Sequence, residues 1–325
     1  MRSAIHARFG DPASVLTVGD SPVPEPGPGE VRIRMQLAPI HNHDLLTVRG
    51  QYGYRPALPA IGGSEGLGVV DALGEGVEGL AVSQRVAAAS GRGTWAEYFI
   101  APARMVIPMP DAIADETAAQ LVAMPLSALM LLEFLQVGRG QWVVQNAANG
   151  AVGKTLAMLA AARGIRVLGL VRRDAGVDEM AALGVDNVLS TATPGWMGAA
   201  KALLGDGLAS VAVDSVGGRA SAELMALLGE NGVLVSFGAL SGEPMQVPSG
   251  DMIFRQATVK GFWGSKASRD MSVDDKRRMV GELIQRATSG ELRLPVEAVH
   301  DLSDVALAAA ASLRPGRKGK VLLRA

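Results

Sequence analysis

The spacing of hydrophobic and polar residues changes twice along this chain. In residues 1–118, short apolar stretches are separated by turns rich in proline and glycine, such as the one that contains Pro22, Pro24, Pro26 and Pro28. Residues 31–37 alternate apolar and polar positions, as a strand with one buried face does, and residues 94–100 and 105–107 are typical of further short strands. The first part of the chain is therefore predicted to be an irregular β domain.

From residue 118 onward, apolar stretches of strand length alternate with stretches of helical pattern. Strands are predicted at residues 166–171, 187–189, 209–214 and 232–237, and helices at residues 151–163, 176–183, 195–204 and 218–228. Strands spaced by helices of this size form a parallel sheet with right-handed crossovers. Residues 121–137 predict a buried helix that joins two domains, because the stretch contains Pro125 and Glu133 and is shorter than the ~20 residues of a membrane span.

A third pattern begins near residue 260. It predicts a charged amphipathic helix at residues 273–289, a strand at 296–300, a helix at 303–313 and a strand at 320–324. Since the parallel sheet is complete before this tail, we expect the tail to return to the first domain. The predicted domains are residues 1–118 with 262–325, and residues 119–261. The predicted fold class is α/β, with a doubly wound Rossmann-type parallel sheet inserted into an irregular, barrel-like β domain.

The junction between the first strand and the first helix of this sheet carries a glycine-containing turn. An apolar run at residues 143–144 leads to Gly150 and Gly153, and an alanine-rich helical pattern follows. Glycine lets the backbone turn sharply and lets a phosphate approach it closely. The helix that follows directs unpaired N–H groups and its positive dipole end at that phosphate. This βα unit is therefore predicted to bind a dinucleotide.

The residues after the second strand of the unit indicate which dinucleotide. A fold that binds NAD usually has Asp or Glu there to accept from the ribose 2′-hydroxyl, whereas this chain has Arg172 and Arg173. An acid would repel a 2′-phosphate, and guanidinium groups can hold one through paired hydrogen bonds. The predicted cofactor is NADPH. The alternative is that both arginines lie on a solvated loop without a ligand.

Composition narrows the remaining functions. Of the 325 residues, 48% are apolar and 19% are charged, and the formal net charge is −1. The chain can therefore form a sizeable core, and it has no bulk field that favours nucleic acid or a membrane surface. It has no cysteine, which excludes disulfides, thiolate zinc sites and a cysteine nucleophile. The N-terminus lacks the pattern of a signal or transit peptide, and we expect a cytoplasmic location.

Three segments make the chain similar to a known family. They are residues 50–53 (GQYG) with 58–66 (LPAIGGSEG), residues 145–153 (QNAANGAVG) with 171–174 (VRRD), and residues 261–265 (GFWGS). Over nearly its whole length the chain resembles the medium-chain dehydrogenase/reductase superfamily, and within it the zinc-independent 2-enoyl thioester reductases of the mitochondrial enoyl-CoA and enoyl-ACP reductase type. The resemblance implies a GroES-like first domain and NADPH-dependent reduction of the C2=C3 double bond of an enoyl-CoA or enoyl-ACP, as in fatty acid metabolism.

The resemblance also implies roles for residues. The tyrosine that matches Tyr52 is the catalytic residue of the family. The glycine turn, the arginines and the family match together predict the cofactor-binding residues Asn149, Gly150, Ala151, Val152, Gly153, Arg172, Arg173, Phe237, Gly238, Ala239, Leu240, Phe262, Trp263, Gly264, Ser265 and Lys320. The predicted substrate pocket contains His41, His43, Tyr54, Met124 and Trp263. Without the resemblance, Phe262 and Trp263 are as compatible with plain core packing as with contacts to a cofactor or an acyl chain.

The chain departs from the family pattern at two places. The family often has Asn-Pro where this chain has Met124 and Pro125, and Asn-Pro-Ser-Asp at residues 41–44 (HNHD). Because these changes affect nicotinamide contacts or substrate choice, an NADPH:quinone reductase of the same superfamily is the alternative function, and a non-catalytic NADPH-binding protein is the third. Zinc-dependent alcohol dehydrogenases of the superfamily need Cys near position 41 and His at position 64. This chain has His41 and Ser64, so no metal is predicted.

Reduction of an enoyl thioester needs a donor for the thioester oxygen and an acid near Cα. Tyr52 can be that acid, since a phenol with a pKa of about 10 is protonated at neutral pH. The alternatives are that Tyr54 is the donor, or that Tyr52 only packs on its loop. His41 and His43 would face the same way from an extended backbone, and we expect them to line a polar surface rather than to bind a metal.

Two further features concern partners. A local basic run is predicted either to bind the phosphates of coenzyme A or an acidic acyl carrier protein, or to be a solvated helix face; its members are Lys266, Arg269, Lys276, Arg277 and Arg278. Residues 257–261 are predicted to form a strand at the edge of the finished sheet. Pairing of that edge with its two-fold mate would give a homodimer. No nucleic acid or membrane partner is expected.

Overall fold

The structure, a computed structural model, describes residues 1–89 and 92–325. The chain divides into two compact units, residues 1–123 with 283–288 and 294–325, and residues 124–282 with 289–293. These boundaries differ from the predicted domains chiefly at residues 262–282, which lie in the second unit. There Phe262 packs on Phe134 and Phe237, with ring centroids 5.0 and 6.1 Å apart, and Arg278 pairs with Glu133 at 2.9 Å. The segment is therefore held by side chains of the second unit.

Short strands dominate the beginning of the first unit. In chain order its elements are β1 (Arg2–His6), α1 (Pro12–Val15), β2 (Thr17–Asp20), β3 (Glu30–Pro39), α2 (Asn42–Arg49), β4 (Ala60–Ile61), β5 (Gly66–Leu73), β6 (Arg85–Ala88), β7 (Tyr98–Pro102), β8 (Val106–Pro108) and α3 (Asp115–Ala118). The alternation at residues 31–37 is confirmed as part of β3, in which Val31, Ile33 and Met35 are buried. These side chains belong to a core that also contains Trp95 and Phe99.

The second unit alternates helices and strands. The elements that follow α3 are α4 (Ala123–Leu135), β9 (Trp142–Gln145), α5 (Ala151–Ala162), β10 (Arg166–Val171), α6 (Ala175–Ala182), β11 (Val188–Ser190), α7 (Trp196–Leu204), β12 (Ala209–Asp214), α8 (Arg219–Met225), β13 (Leu228–Ser236), α9 (Ser249–Phe254), β14 (Thr258–Gly261), α10 (Gly264–Asp270) and α11 (Val273–Thr288). The first residue of α4 and the last six of α11 belong to the first unit.

Strands β9 to β14 form one parallel sheet in the order β11-β10-β9-β12-β13-β14. The predicted Rossmann-type parallel sheet is thereby confirmed. Its apolar side chains, among them Leu168, Ala212 and Leu234, form the core of this unit. β14 is an edge strand, as predicted for residues 257–261. Because all these strands run in the same direction, the turns that follow them lie at one edge of the sheet.

The end of the chain belongs to the first unit and comprises β15 (Val296–Asp301), α12 (Val305–Leu313) and β16 (Lys320–Arg324). β16 pairs in parallel with β15 and antiparallel with β3. It thereby joins a sheet with the order β15-β16-β3-β5-β6-β8, in which β7 also pairs with β3. A smaller sheet has the order β2-β1-β4. Among the described residues, no helix has the length and apolar character needed to cross a membrane.

Candidate active site

Two glycines fix the position of Ser64 and Glu65 in the first unit. A Cβ atom on Gly62 or Gly63 would lie 2.4 Å from the ring of Trp95, which leaves no room for a side chain, and Gly63 has a φ of +90°. Trp95 is fully buried, and its Nε1–H donates to a backbone carbonyl of β3 at 3.2 Å. The two glycines therefore let the backbone pack directly against Trp95. This contact sets the direction in which the side chains of Ser64 and Glu65 project.

Glu65 lies at the centre of a buried polar cluster. Its Oε1 accepts from the N–H groups of Val122 and Ala123, at 2.8 Å each, and its Oε2 accepts from Nε2–H of His41 at 2.7 Å. The side chains of His41 and Glu65 are fully buried. Nδ1 of His41 has no hydrogen-bond partner among the described residues. This favours the tautomer with the proton on Nε2, because that proton has an acceptor.

Burial determines the protonation states in this cluster. Desolvation raises the pKa of Glu65 to about 7, and it lowers the pKa of His41 well below its usual value. Lys320, in β16, is affected in the same sense, because burial lowers its pKa to about 8. Its Nζ donates to the carbonyl of Ile40 at 3.5 Å. At neutral pH, His41 is therefore neutral and Glu65 is close to its titration midpoint.

A second hydrogen-bonded chain lies beside the first. Nε2–H of His43 donates to Oγ of Ser64 at 2.7 Å, and the Ser64 hydroxyl donates to Oδ1 of Asp44 at 2.7 Å. Oδ2 of Asp44 accepts the backbone N–H of His41 at 3.0 Å. The backbone is extended at His41, the N-cap residue of α2, but His43 lies in the first turn of the helix, so the expectation of an extended backbone through both histidines is wrong. Their rings nevertheless stack, with centroids 5.1 Å apart.

The two candidate tyrosines have different surroundings. The ring of Tyr52 is in contact with that of His43, with 5.7 Å between the centroids and 32° between the planes. Tyr52 therefore adjoins the stacked histidines. Tyr54 is 39% exposed, and the guanidinium of Arg92 lies 4.4 Å from the centre of its ring. Of the two phenols, Tyr52 is the one that the structure associates with the polar cluster.

The glycine turn of the second unit connects β9 to α5. The residue in the left-handed conformation is Ala147, with a φ of +48°, whereas Gly150 has an ordinary φ of −73° and is the N-cap residue of α5. Gly153 is the glycine that packing requires, since a Cβ there would lie 2.6 Å from the carbonyl oxygen of Ala148. No side chain caps the helix. The first N–H groups of α5, which have no acceptor within the helix, can therefore meet a phosphate.

The two arginines follow β10 as predicted. The strand ends at Val171, and both Arg172 and Arg173 are exposed before α6 begins at Ala175. Neither guanidinium has a hydrogen-bond or ion-pair partner among the residues that the structure describes. Because β10 and β9 are parallel neighbours, the arginines lie at the same edge of the sheet as the glycine turn. They are placed to meet an anion without first breaking an existing ion pair.

The remaining predicted cofactor residues follow two other strands at this edge. Phe237, Gly238, Ala239 and Leu240 come directly after β13, and the segment 262–265 comes directly after β14. The two segments touch, since the rings of Phe237 and Phe262 stack with centroids 6.1 Å apart. The structure thus gathers four of the predicted segments at the carboxyl edge of one sheet, which is where open α/β sheets bind ligands.

The structure does not bring every predicted residue together within one unit. Lys320, predicted to bind the cofactor, lies in the first unit beside the cluster of His41 and Glu65. Of the predicted substrate pocket, His41, His43 and Tyr54 belong to the first unit, and Met124 and Trp263 to the second. Trp263 is 55% exposed and Met124 is half-buried.

The basic run is mostly occupied by ion pairs. Lys266 and Arg269 pair with Asp270, and Arg277 pairs with Asp274. Arg278 pairs with Glu133 and Asp275. These pairs agree with the solvated helix face, because four of the five cations of the run, all but Lys276, have an acid at short range. In the described ranges 1–89 and 92–325, there is no group of three or more His, Cys, Asp or Glu side chains that could hold a metal ion.

The sequence analysis missed part of the cluster in the first unit. Asp44 and Glu65 were not assigned a role, and Ser64 entered only as a missing metal ligand. One signal was present in the sequence: Glu65 is an acid within the apolar, glycine-rich segment 61–70, and an acid in such a place is buried only if it is paired or hydrogen-bonded. Its partners are distant in sequence, so the pattern of the segment could not identify them.

A GroES-like domain combined with a dinucleotide-binding domain defines a class of oxidoreductases, and comparison with known proteins agrees with this. The family described as "Alcohol dehydrogenase GroES-like domain" matches residues 27–111, and "Zinc-binding dehydrogenase" matches residues 151–279. The chain belongs to the medium-chain dehydrogenase/reductase superfamily. It is 31% identical to the human mitochondrial enoyl-[acyl-carrier-protein] reductase over 332 residues, which cover 99% of this chain and 88% of that protein.

Solved structures confirm the fold class. A mycobacterial protein in complex with NADPH superposes with a TM-score of 0.89 at 28% identity, and a quinone oxidoreductase from Pseudomonas syringae with a TM-score of 0.88 at 27% identity. Each comparison covers 100% of both chains. The predicted resemblance to this superfamily is confirmed. The sequence relative is named for an enoyl-[acyl-carrier-protein] substrate, whereas the structural neighbour is named for a quinone. The fold class therefore does not identify the substrate.

Proposed function

We propose that this protein reduces the C2=C3 double bond of a 2-enoyl thioester, with NADPH as its cofactor. The observation that carries the proposal is the position of Tyr52, whose ring contacts His43 and thereby adjoins the buried polar cluster. A reductase of this type needs a proton donor at Cα, and Tyr54 is the exposed phenol of the two. The similarity to enoyl-[acyl-carrier-protein] reductases over nearly the whole chain supports the thioester as substrate.

The residues of the second unit fit NADPH. The uncapped first turn of α5 offers N–H groups for the pyrophosphate, and Gly153 keeps the turn free of a side chain. Arg172 and Arg173 are exposed and have no acid among their contacts in the described part of the chain, so their charges are available to the 2′-phosphate. The segments at Phe237–Leu240 and Phe262–Ser265 line the remainder of the cofactor.

The chemistry divides between cofactor and chain. NADPH, when bound, supplies the hydride that Cβ of the substrate receives. The hydroxyl of Tyr52 donates the proton to Cα and can first donate a hydrogen bond to the thioester oxygen, where negative charge develops. As substrate contacts, the proposal keeps His41, His43 and Tyr54 of the first unit and, separately, Met124 and Trp263 of the second. It also keeps Lys320 as a cofactor residue.

The alternative function is an NADPH:quinone oxidoreductase. The specific observations in its favour are the departures at His41 and Met124 and the structural similarity to the Pseudomonas syringae quinone oxidoreductase. A quinone accepts hydride without a proton donor at a carbon atom, so Tyr52 would be dispensable. A protein that binds NADPH without catalysis would oxidise it with neither class of acceptor.

One experiment separates these functions. NADPH oxidation is followed by absorbance with crotonyl-CoA, a longer 2-enoyl-CoA and a quinone in parallel. The proposal expects turnover with at least one enoyl-CoA and a kcat/KM for it above that for the quinone. Preference for the quinone supports the alternative, and binding of NADPH without oxidation of it supports the third candidate. Comparison of the same acyl chain on coenzyme A and on acyl carrier protein identifies the carrier.

The proposal includes a homodimer formed through β14. This strand is at the edge of its sheet, and Ile253 and Phe254 of the preceding helix α9 are 66% and 84% exposed. An unpaired strand edge beside exposed apolar side chains is a surface that a second copy can cover. A role in fatty acid metabolism follows from the substrate, and this role and a cytoplasmic location both belong to the proposal.

A further inference from the structure

A buried ion pair lies directly behind the glycine turn of the second unit. Nζ of Lys154 donates to Oε1 of Glu179, and the two side chains are only 6% and 7% exposed. Lys154 is in the first turn of α5, which begins at the glycine turn, and Glu179 is in α6, which follows Arg172 and Arg173. The pair therefore links the two helices whose first residues adjoin the two proposed phosphate sites.

Asn149 of the turn shares the same carboxylate. Its Nδ2–H donates to Oε2 of Glu179 at 3.0 Å. The two oxygens of Glu179 thus bind different partners, one in the turn and one in the helix that leaves it. With both oxygens engaged, the side-chain amide of Asn149 is held at a fixed point relative to α6.

Glycine at residue 176 lets α6 pack closely on the end of β10 and on the turn. A Cβ on Gly176 would lie 3.0 Å from Cβ of Val171 and 3.4 Å from Nδ2 of Asn149. Gly176 and Glu179 are three residues apart in a helix, so they lie on the same face. That face of α6 therefore packs on the end of β10 and on the glycine turn together.

Stability alone does not account for a buried ion pair at this place. Replacement of a buried pair by apolar side chains of similar size is often neutral or stabilising. What the pair and Asn149 add is geometry, since they connect the segment that ends in Arg172 and Arg173 to the turn at residues 149–153. NADPH carries its 2′-phosphate and its pyrophosphate in one molecule, and a rigid spacing between the two sites lowers the cost of binding both at once.

We infer that Asn149 and Glu179, beside the ion pair of Glu179 with Lys154, form a bridge that sets the spacing between the pyrophosphate-binding turn and the arginines that bind the 2′-phosphate. This inference rests on the proposed NADPH cofactor. Glu179 is then a positioning residue for cofactor selectivity. Loss of the bridge should weaken the binding of NADPH more than that of NADH, because NADH has no 2′-phosphate and its binding does not depend on the spacing.

The variants are chosen so that the fold survives. Removal of Glu179 alone would take its carboxylate away from the buried charge of Lys154, which is strongly destabilising. Two double variants avoid this. Lys154→Met with Glu179→Gln removes both charges but leaves an amide oxygen that can accept from Asn149. Lys154→Met with Glu179→Leu removes the charges and the acceptor. The two differ only in whether Asn149 is held.

The measurement is the dissociation constant for NADPH, for NADH and for 2′-AMP, a probe that carries the 2′-phosphate without the pyrophosphate. For the leucine double variant, we expect the NADPH-to-NADH preference to fall about 5- to 10-fold, the effect of one lost hydrogen bond. The glutamine double variant should keep the preference of the wild type. Binding of 2′-AMP should be unchanged in both, because the arginines are untouched.

Controls separate this inference from other causes. Glu282→Gln removes an acid that pairs with Arg163 at the other end of α5, and it should leave cofactor preference unchanged. Thermal unfolding checks that each variant is folded. If the leucine double variant does not fold, Asn149→Ala provides the same test, since it removes the amide that Glu179 holds while the ion pair of Lys154 with Glu179 stays intact, and it should also lower the preference.

Two results would overturn the inference. One is equal behaviour of the two double variants, and the other is equal weakening of NADH and NADPH, which would mean that Asn149 acts on the turn alone. Failure of the cofactor proposal has a different signature. In that case the wild type itself prefers NADH or does not bind 2′-AMP.

Discussion

Nε2 of His41 and Oε2 of Glu65 lie 2.7 Å apart in a fully buried hydrogen bond. His41 stands near the position at which zinc-dependent members of the superfamily have a metal-ligating cysteine. Its ring nitrogen is instead bound within the protein. Ser64, at the position of a metal-ligating histidine, is likewise engaged by His43 and Asp44. Nε2 of His41 and the hydroxyl of Ser64 are therefore already hydrogen-bonded within the protein.

Metal independence is the first expected outcome. Exhaustive chelation should leave the reductase activity unchanged, and elemental analysis should find no stoichiometric zinc, because His41 and Ser64 do not supply the ligands of an open tetrahedral site. A chelated enzyme that is inactive and regains activity with zinc would contradict this expectation and would restore His41 as a ligand.

The raised pKa of Glu65 has a consequence for stability. The unfolded chain releases this proton near the ordinary value of 4.5, whereas the folded protein keeps it up to a pH of about 7. Stability should therefore fall by about 3 kcal/mol as the pH rises from 4.5 to 7 and then level off with respect to this group. Glu65→Gln should remove that slope in denaturant titrations. Exposed Glu78 is the control, and Glu78→Gln should keep the slope.

Lys320 changes the stability in the opposite direction and at higher pH than Glu65 does. Its pKa in the folded protein is about 8, below the ordinary value of 10.5, so between these values the unfolded state binds a proton that the folded state has lost. Stability should rise with pH across that window. Lys320→Met should abolish the rise. A wild type whose free energy of unfolding does not increase between pH 8 and 10.5, after allowance for its other groups, would show that burial does not lower the pKa of Lys320.

Tyr52 is the residue on which the chemistry depends. Tyr52→Phe keeps the ring that contacts His43 and removes only the hydroxyl, so kcat and kcat/KM for an enoyl-CoA should fall together by about 10²–10⁴-fold. NADPH affinity should hardly change. Tyr54→Phe is the matched control and should leave kcat and kcat/KM nearly unchanged. A large loss in Tyr54→Phe would transfer the role to Tyr54, and an unimpaired kcat in Tyr52→Phe would end the assignment.

Cofactor choice depends on Arg172. Arg172→Ala should weaken NADPH binding by about 1.5–3 kcal/mol, as expected for a charge-assisted contact, and leave NADH binding nearly unchanged. Arg166→Ala is the matched control, since Arg166 begins the same strand and lies over the ring of Trp142, 4.5 Å from its centre. Titration of cofactor fluorescence gives both constants. A wild-type protein that binds NADH more tightly than NADPH would contradict the proposed cofactor.

The dimer can be tested at α9. Phe254→Asp places a charge where a second copy should bury an aromatic ring, so the dimer should dissociate about 10-fold or more readily in sedimentation experiments. Leu307→Asp is the control, because Leu307 is 64% exposed but belongs to the first unit. A wild-type protein that sediments as a monomer at micromolar concentration would rule out the dimer.

The elements of the second unit could be predicted from the sequence with small errors. The predicted strand at residues 209–214 is identical with β12, and the predicted helix at residues 151–163 is one residue longer than α5. Their pattern is local, since buried parallel strands are continuously apolar and the helices between them are regular. Helix α2 was missed because its eight residues include only two buried apolar side chains, Leu45 and Val48.

The site was less predictable, because its contacts join residues that are distant in sequence. Arg172 and Gly153 could be identified because they belong to a local motif. The bond between His41 and Glu65 spans 24 residues and that between Asn149 and Glu179 spans 30. No local pattern specifies such pairs. Burial, which shifts the pKa values of Glu65 and Lys320, also depends on the assembled fold.

Ala147 offers an opportunity for engineering. It is a residue with a side chain in the left-handed region, with a φ of +48°, and this conformation costs a non-glycine residue about 1–2 kcal/mol. Glycine adopts it without that cost, and asparagine tolerates it better than alanine does. Ala147 is not among the proposed cofactor-binding residues, although it precedes them in the same loop. A more heat-resistant enzyme can therefore be sought by Ala147→Gly or Ala147→Asn while every residue proposed to hold the dinucleotide is kept.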